Sequence, residues 1–256
     1  MKQEILKAKI KERYGKIALE GNSESCCGPE CCSSTEADPQ MSSVVVGYDG
    51  KALESIPKSS ILGLGCGAPI NFANLKIGEI VVDLGSGAGI DAFLASREVK
   101  DIGKVIGIDF TDEMLHKATS TAKENGFTNV EFRKGDIEES IPVDDNSVDV
   151  AISNCVINLA TDKVKTFKEI YRILKKDGKG RMIISDLVTS KEVRGDTVNP
   201  EDWCNCIDGA LTKENYINSI KEAGFSDVKT LNEQIYITEY KTNRIITSVV
   251  IGATAK

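Results

Sequence analysis

From Ile80 onward the chain alternates between two hydrophobic periods. Short apolar runs read as strands. The first, Ile80–Val82 ended by Asp83 and Leu84, is continuous, as expected of a strand buried on both faces. Further strands are predicted at Val105–Phe110, Val130–Lys134, Ser147–Asn154 and Arg181–Leu187. The segments between them, Ile90–Ser96, Thr111–Asn125 and Asp162–Leu174, read as helices, with Thr111 an N-cap and Gly126 a stop for the second. This alternation predicts a parallel sheet with helices on both faces. Upstream, Leu6, Ile10, Tyr14 and Ile17 fall at spacings of four, four and three, one face of a helix within residues 2–20 that docks on the domain surface. Downstream, Val188–Asp202 lacks periodicity and reads as a lid-like loop. Thr212–Ala223 is an amphipathic helix capped by Thr212 and stopped by Gly224, and strands follow at Gln234–Tyr240 and Ile245–Ala253.

Two glycine-rich turns interrupt this pattern. Gly85, Gly87 and Gly89 join the first strand to its helix, where a backbone without Cβ atoms lets a ligand approach the helix N-terminus. A dinucleotide fingerprint would place a third small residue at the position of Ile90. The spacing Asp-x-Gly-x-Gly-x-Gly over Asp83–Gly89 instead resembles the first motif of S-adenosylmethionine-dependent methyltransferases, which holds the methionine end of that cofactor. A turn that binds nothing is the bland alternative. Asp109, at the tip of the second strand and 20 residues after Gly89, suits a ribose diol. Asp136 after the third strand is placed to face the adenine amino group, with Ile137 packing on the ring. The second glycine-rich stretch, Ile61–Ile70 with Cys66, is followed by Pro69 and Asn71–Asn74 rather than a strong helix, and reads as a loop laid over a neighbouring site.

The chain has 256 residues, enough for one full core with additions. Its 32 basic and 39 acidic residues are interspersed, for a net charge of −7, which gives no electrostatic footprint for nucleic acid. No apolar run reaches the length of about 18 residues that a membrane-spanning helix needs, and the first residues lack the apolar region of a signal peptide. A cytoplasmic, monomeric protein is expected. Cysteine usage is unusual, with eight residues: Cys26, Cys27, Cys31, Cys32, Cys66, Cys155, Cys204 and Cys206. In a reducing compartment these suit metal-binding, redox or catalytic roles. The first four crowd a Ser/Gly/Pro segment, Gly21–Gln40, expected to be a mobile loop; adjacent cysteines disfavour a structural zinc site. Cys155 directly follows the fourth strand, on the edge where ligands of open α/β sheets bind. The alternative for it is a buried small hydrophobe.

Several stretches together resemble arsenite methyltransferases, class I S-adenosylmethionine-dependent enzymes. They are Arg13-Tyr-Gly15, Leu64-Gly-Cys-Gly67 followed by Pro69, Asp83–Gly89 followed by Asp91-Ala-Phe-Leu-Ala95, Ser153-Asn-Cys-Val-Ile-Asn-Leu159, and Cys206 followed by Gly209-Ala210. The resemblance implies a Rossmann-like α/β methyltransferase sheet with helices on both faces and a C-terminal α+β substrate-binding portion. The expected regions are 1–60 (N-terminal helix and cysteine-rich loop), 61–188 (cofactor-binding domain) and 189–256 (arsenic-binding, lid-like and accessory portion). It implies that Asp83, Gly85, Gly87, Gly89, Asp109, Phe110, Asp136, Ile137 and Asn154 form the cofactor site. Cys66, Cys155 and Cys206 would hold trivalent arsenic, and one of Cys26, Cys27, Cys31 or Cys32 would handle inorganic arsenite or disulfide exchange. Arsenite and methylarsenite, as thiol conjugates, are the implied substrates, with glutathione or thioredoxin as reductant.

Ala68 stands where that family commonly has Asn, and Lys176-Asp177 where it has Pro-Gly. Cys204 is an additional thiol, so either it or Cys206 could be the third ligand. The chemistry agrees with the resemblance. Thiolate-bound arsenic carries a lone pair and no proton, so its methylation needs no general base, and thiolates suit a soft, thiophilic centre. The single histidine, His116, lies on the helix after Asp109, away from the catalytic edge. Two alternatives remain: a C- or O-methyltransferase of quinones or phenols with incidental cysteines, and a protein that binds or senses soft metals.

Overall fold

The computed structural model describes residues 3–20, 38–193, 198–239 and 243–256. The cysteine-rich segment with Cys26, Cys27, Cys31 and Cys32 lies outside them. The chain begins with α1 (Gln3–Glu20), α2 (Pro39–Val45) and α3 (Gly50–Glu54). It then alternates through β1 (Ile80–Leu84), α4 (Ile90–Val99), β2 (Lys104–Asp109), α5 (Asp112–Glu124), β3 (Val130–Lys134), β4 (Val150–Asn154), α6 (Lys163–Ile173) and β5 (Arg181–Thr189). It continues with α7 (Pro200–Cys204), α8 (Lys213–Glu222), β6 (Ser226–Glu239) and β7 (Arg244–Thr254). The strands form one seven-stranded sheet in the order β3-β2-β1-β4-β5-β7-β6. β1 to β5 run parallel, and β7 pairs antiparallel with both β5 and β6.

Because β1 is flanked by β2 and β4, the chain reverses its direction of travel across the sheet there, and a crevice opens at the carboxyl ends of β1 and β4. Alternation within each strand divides the core. Val82, Leu84, Ile106 and Ile108 pack toward Phe167, Ile170, Tyr216 and Ile220 of α6 and α8. Val81, Val105, Val150 and Ile152 pack toward Ala92, Ala95 and Val99 of α4. These strands are covered on both faces, which is why they read as continuous apolar runs.

Helix ends follow local chemistry. The carboxylate of Asp162 caps α6 by accepting from the Lys165 amide, and Thr212 caps α8 by accepting from the Asn215 amide. Thr111 precedes α5 as expected but makes no side-chain cap; Asp112 and Glu113 complement the helix dipole instead. The expected loop over Val188–Asp202 is partly regular: Val188 and Thr189 extend β5, and α7 starts at Pro200 with Asn199 as its cap. The C-terminal strands are longer than their apolar cores suggest, because β6 and β7 form a ladder that runs past them. Region 189–256 thereby contributes α7, α8 and two strands to the same sheet as β1–β5. Among the described residues, no helix is long and apolar enough to cross a membrane.

Helix α1 docks as its apolar face predicts. Leu6 and Ile10 are buried, and Tyr14 and Ile17 pack with Ala88 and Met114 beside the glycine turn. Its lysines bind it at the rim: Lys7 Nζ lies 2.6 Å from Asp136 and Lys11 Nζ 2.8 Å from Asp112.

Candidate active site

The turn after β1 is built so that a ligand can sit against it. Gly85 has φ of 64°, and any Cβ there would run into the side chain of Val156, which follows Cys155. Gly89, with φ of 96°, begins α4. Beyond the turn lies a large pocket between the carboxyl ends of the strands and α1. Asp83, Gly85, Gly87, Asp109, Phe110, Asp136, Ile137, Asn154 and Cys155 all line it. Gly89 shapes the turn without lining the pocket, and Cys66 and Cys206 lie outside it.

The acids differ in what they do. Asp109 accepts from the amides of Gly87 (2.9 Å) and Thr111 (2.8 Å), so it braces the glycine turn while facing the pocket. Asp136 accepts from the Glu138 amide (2.9 Å) and pairs with Lys7, which ties α1 over the end of the pocket expected to take adenine. Asp83 and Asp91 lie close together, and burial raises the pKa of both, Asp91 to about 6. One oxygen of Asp91 accepts from the Tyr48 hydroxyl (2.7 Å). Its other oxygen, Asp83 Oδ2 and Ser86 Oγ have no hydrogen-bond partner. Two buried carboxylates with orphaned oxygens at the mouth of a glycine turn call for a cation. The ammonium and sulfonium groups of S-adenosylmethionine have that character, so the residues present fit this cofactor.

Asn154 connects this pocket to the second glycine stretch. Its Nδ2 donates to the Gly67 carbonyl (2.7 Å) and the Tyr48 hydroxyl (2.8 Å), and its Oδ1 accepts from the Cys66 amide (3.2 Å). Close approach explains the glycines: a Cβ on Gly65 would sit 2.7 Å from Asn154 Nδ2. The Ser248 hydroxyl donates to the Cys66 carbonyl (2.6 Å), which fixes the segment from the side of β7. Leu62, Gly63, Leu64 and Gly65 of this segment line the pocket.

Three thiols converge where β4, the Cys66 segment and the end of α7 meet. Cys66 and Cys206 are buried and Cys155 is half-buried, packed with Leu187 and Ile246. Cys155 sits at φ of 59° and Cys206 at 63°, left-handed conformations uncommon for residues with a side chain. The cause at Cys206 is local. Its amide donates to the Trp203 carbonyl and the Ile207 amide to the Asp202 carbonyl, the paired bonds of a Schellman helix end, in which glycine is the usual occupant of this position. Such backbone strain, about 1–3 kcal/mol per residue, persists where the surroundings impose it and gathers at functional sites. The Cys206 thiol donates to the Cys155 carbonyl (2.9 Å). Cys204, the last residue of α7 two positions earlier, is buried but does not join the cluster, so geometry favours Cys206 as the partner of Cys66 and Cys155.

A buried polar layer lies beneath. The Cys66 and Cys155 sulfurs and a carboxylate oxygen of Asp186 fall within 4.8 Å of one another. Asp186 accepts from the amides of Asn158 (3.0 Å) and Leu187 (2.9 Å) and from the Tyr216 hydroxyl (3.1 Å). Asn158 Nδ2 donates to the carbonyls of Leu187 (2.6 Å) and Cys206 (3.3 Å), which holds the Cys206 turn against β5. Hydrogen bonding with Cys206 and Cys66, together with burial, pushes the Cys155 thiol well above its ordinary pKa. At Cys206 the bond with Cys155 favours the thiolate, but burial and the charge of Asp186 outweigh it, and this pKa also rises. These two thiols are therefore protonated at neutral pH. Burial lowers the pKa of Lys163 to about 8 against the opposing pull of Asp186.

Cys155 is shared between two spaces. One side faces the large pocket; the other, with Cys206, floors a small cleft lined also by Arg13, Tyr14, Asn205 and Tyr236. Sequence reading missed Tyr48, Asp91, Asn158 and Asp186. Asp91 had a signal, an acid in the first turn of the helix after the glycine turn. The others act through contacts between distant segments, which no spacing along the chain reveals.

The strand–glycine turn–helix at the crevice, the sheet order and the acids at the strand tips define a class I methyltransferase fold. The chain belongs to the methyltransferase domain family, which it matches over residues 75–224. It is 40% identical to an arsenite methyltransferase of Halobacterium salinarum over 96% of this chain and 64% of that protein. It is 32% identical to the arsenite methyltransferase of Mus musculus, over 81% of this chain and 58% of that one. The chain thus spans less than two thirds of the length of these relatives. Its structure resembles that of an arsenic(III) S-adenosylmethionine methyltransferase from Chlamydomonas reinhardtii, with a TM-score of 0.66 and 29% identity over 84% of this chain and 72% of that one.

Proposed function

We propose that the protein transfers methyl groups from S-adenosylmethionine to trivalent arsenic held by the thiolates of Cys66, Cys155 and Cys206. The observation that carries this reading is the convergence of three thiols from distant parts of the chain, one of them on the wall of the cofactor-sized pocket. The names of the relatives support it.

S-adenosylmethionine bound there would supply an electrophilic sulfonium methyl group. Asp83 and Asp91 would balance its cationic end, and the glycine turn braced by Asp109 would hold it in place. Each arsenic–sulfur bond forms by exchange: the cysteine Sγ–H proton passes to the thiol that leaves arsenic, so a protonated cysteine is a competent reactant. Three thiolates leave the arsenic a lone pair and no proton, so no general base is required. His116, exposed on α5, is not called on. The lone pair takes the methyl group and arsenic is formally oxidised by two electrons. Two thiolates leaving as a disulfide return it to the trivalent state, and glutathione or thioredoxin reduces that disulfide.

The test is incubation with arsenite, glutathione and methyl-labelled S-adenosylmethionine, followed by separation of arsenic species. Labelled methylated arsenicals are expected. Label in a quinone or phenol, with none in arsenic, would overturn the reading.

A further inference from the structure

Arg13 stands at the lip of the cleft that opens onto Cys155 and Cys206. Arg13 is half-buried on α1, and no hydrogen bond or ion pair to another described residue ends on it. Its neighbours on the helix behave differently. Lys7 is held by Asp136 and Lys11 by Asp112, at 2.6 and 2.8 Å. Lys9, one helical turn before Arg13, adds a second positive charge, and the two act electrostatically on the Cys204 thiol at the end of α7, where Glu201 opposes them. The Tyr14 hydroxyl donates to the Cys204 carbonyl (3.1 Å), so the helix that carries Arg13 is fixed to the segment that carries Cys206.

An arginine with no partner among the described residues is free to meet an anion, and its planar fork suits a carboxylate. Uncharged arsenous acid would gain nothing from it. A thiol that delivers arsenic and also bears carboxylates would gain attraction and orientation. Resting on the arsenic reading above, we propose that Arg13 forms a subsite for the carboxylates of the thiol that carries trivalent arsenic to Cys206 and Cys155. The exchange is balanced: an arsenic–sulfur bond to the carrier breaks, one to cysteine forms, and the cysteine proton leaves on the carrier thiol. The carrier's carboxylate stays at the lip while its sulfur departs. Specificity is thus set on the face of the cleft opposite the cofactor.

The experiment compares arsenite conjugated beforehand to glutathione, which carries carboxylates, with arsenite conjugated to 2-mercaptoethanol, which carries none. Initial rates of methylation are measured for the wild type, Arg13→Gln and Arg13→Lys. Arg13→Gln is expected to raise KM for the glutathione conjugate about three- to tenfold with kcat kept. KM for the mercaptoethanol conjugate should move less than twofold. Arg13→Lys should retain part of the effect, and added salt should erode the wild-type preference for glutathione. Equal changes with both conjugates, or none with either, would overturn the subsite. Failure of the wild type to methylate either conjugate would instead overturn the arsenic reading itself.

Discussion

Asn154→Ala tests the link between the two halves of the site. The side chain makes its shortest bonds to the Gly67 carbonyl at 2.7 Å, the Tyr48 hydroxyl at 2.8 Å and the Cys66 amide at 3.2 Å, with longer ones to Asp91 at 3.4 Å and the Cys66 thiol at 3.8 Å. Tyr48 keeps its bond to Asp91 when Asn154 is removed, so its loss is small. The Gly67 carbonyl and Cys66 amide lose the Asn154 partner, and each buried orphan costs about 1–3 kcal/mol. The expected destabilisation is therefore about 2–6 kcal/mol, a fall in Tm of roughly 5–20 °C for a domain of this size. The Cys66 segment should loosen as well, and a displacement of about 1 Å at a reacting centre can cost on the order of a hundredfold in rate. Thermal unfolding gives the first quantity and the rate of labelled methyl transfer the second, while the arsenic–sulfur coordination number from X-ray absorption reports whether the Cys66 ligand is kept. A variant with the wild-type Tm and three arsenic–sulfur bonds would refute the role given to Asn154.

Two further substitutions separate the acids. With its pKa raised from 3.8 to about 6, Asp91 binds its proton more tightly in the folded protein than in the unfolded chain. The stability of the free protein should therefore fall as pH rises from about 4 to about 6, by on the order of 3 kcal/mol for this group. A bound cation reverses the preference, so cofactor affinity should rise over the same interval; calorimetry of Asp91→Asn should find weaker binding with that pH dependence lost. Asp109→Ala should weaken cofactor binding by about 1.5–3 kcal/mol, through the loss of charged hydrogen bonds, while arsenic still binds. Unchanged cofactor affinity would remove Asp109 from the site.

What the sequence revealed depended on whether the information was local. β1 and its glycine turn were legible because a strand covered on both faces leaves a continuous apolar run, and β3, half-buried at the sheet edge, was legible from the alternation of Val130 and Phe132 with Glu131 and Arg133. The tips of β1, β2 and β4 followed, and with them Asp83, Asp109, Asn154 and Cys155. Cys206 was legible only by resemblance. It occupies a helix-end position where glycine is usual, so its left-handed backbone had no sequence signal. The strand expected at Arg181–Leu187 would put Asp186 near its end, yet Asp186 lies inside β5 under the thiols, because the ladder with β7 carries the strand on to Thr189. The bond between Lys7 and Asp136 joins residues 129 positions apart, and no periodicity reports such a contact.

The central claim is that arsenic is methylated while held by three thiolates, one of them, Cys155, on the wall of the cofactor pocket. Cys155 is the thiol common to that pocket and to the cleft with Cys206, so Cys155→Ser tests the claim most directly. Serine fills a similar volume but is a poor ligand for a soft centre. Labelled methyl transfer to inorganic and to monomethylated arsenic should both be abolished, while titration shows S-adenosylmethionine binding near the wild-type value. Near-normal arsenic methylation by Cys155→Ser would contradict the three-thiolate site and reduce Cys155 to a packing residue.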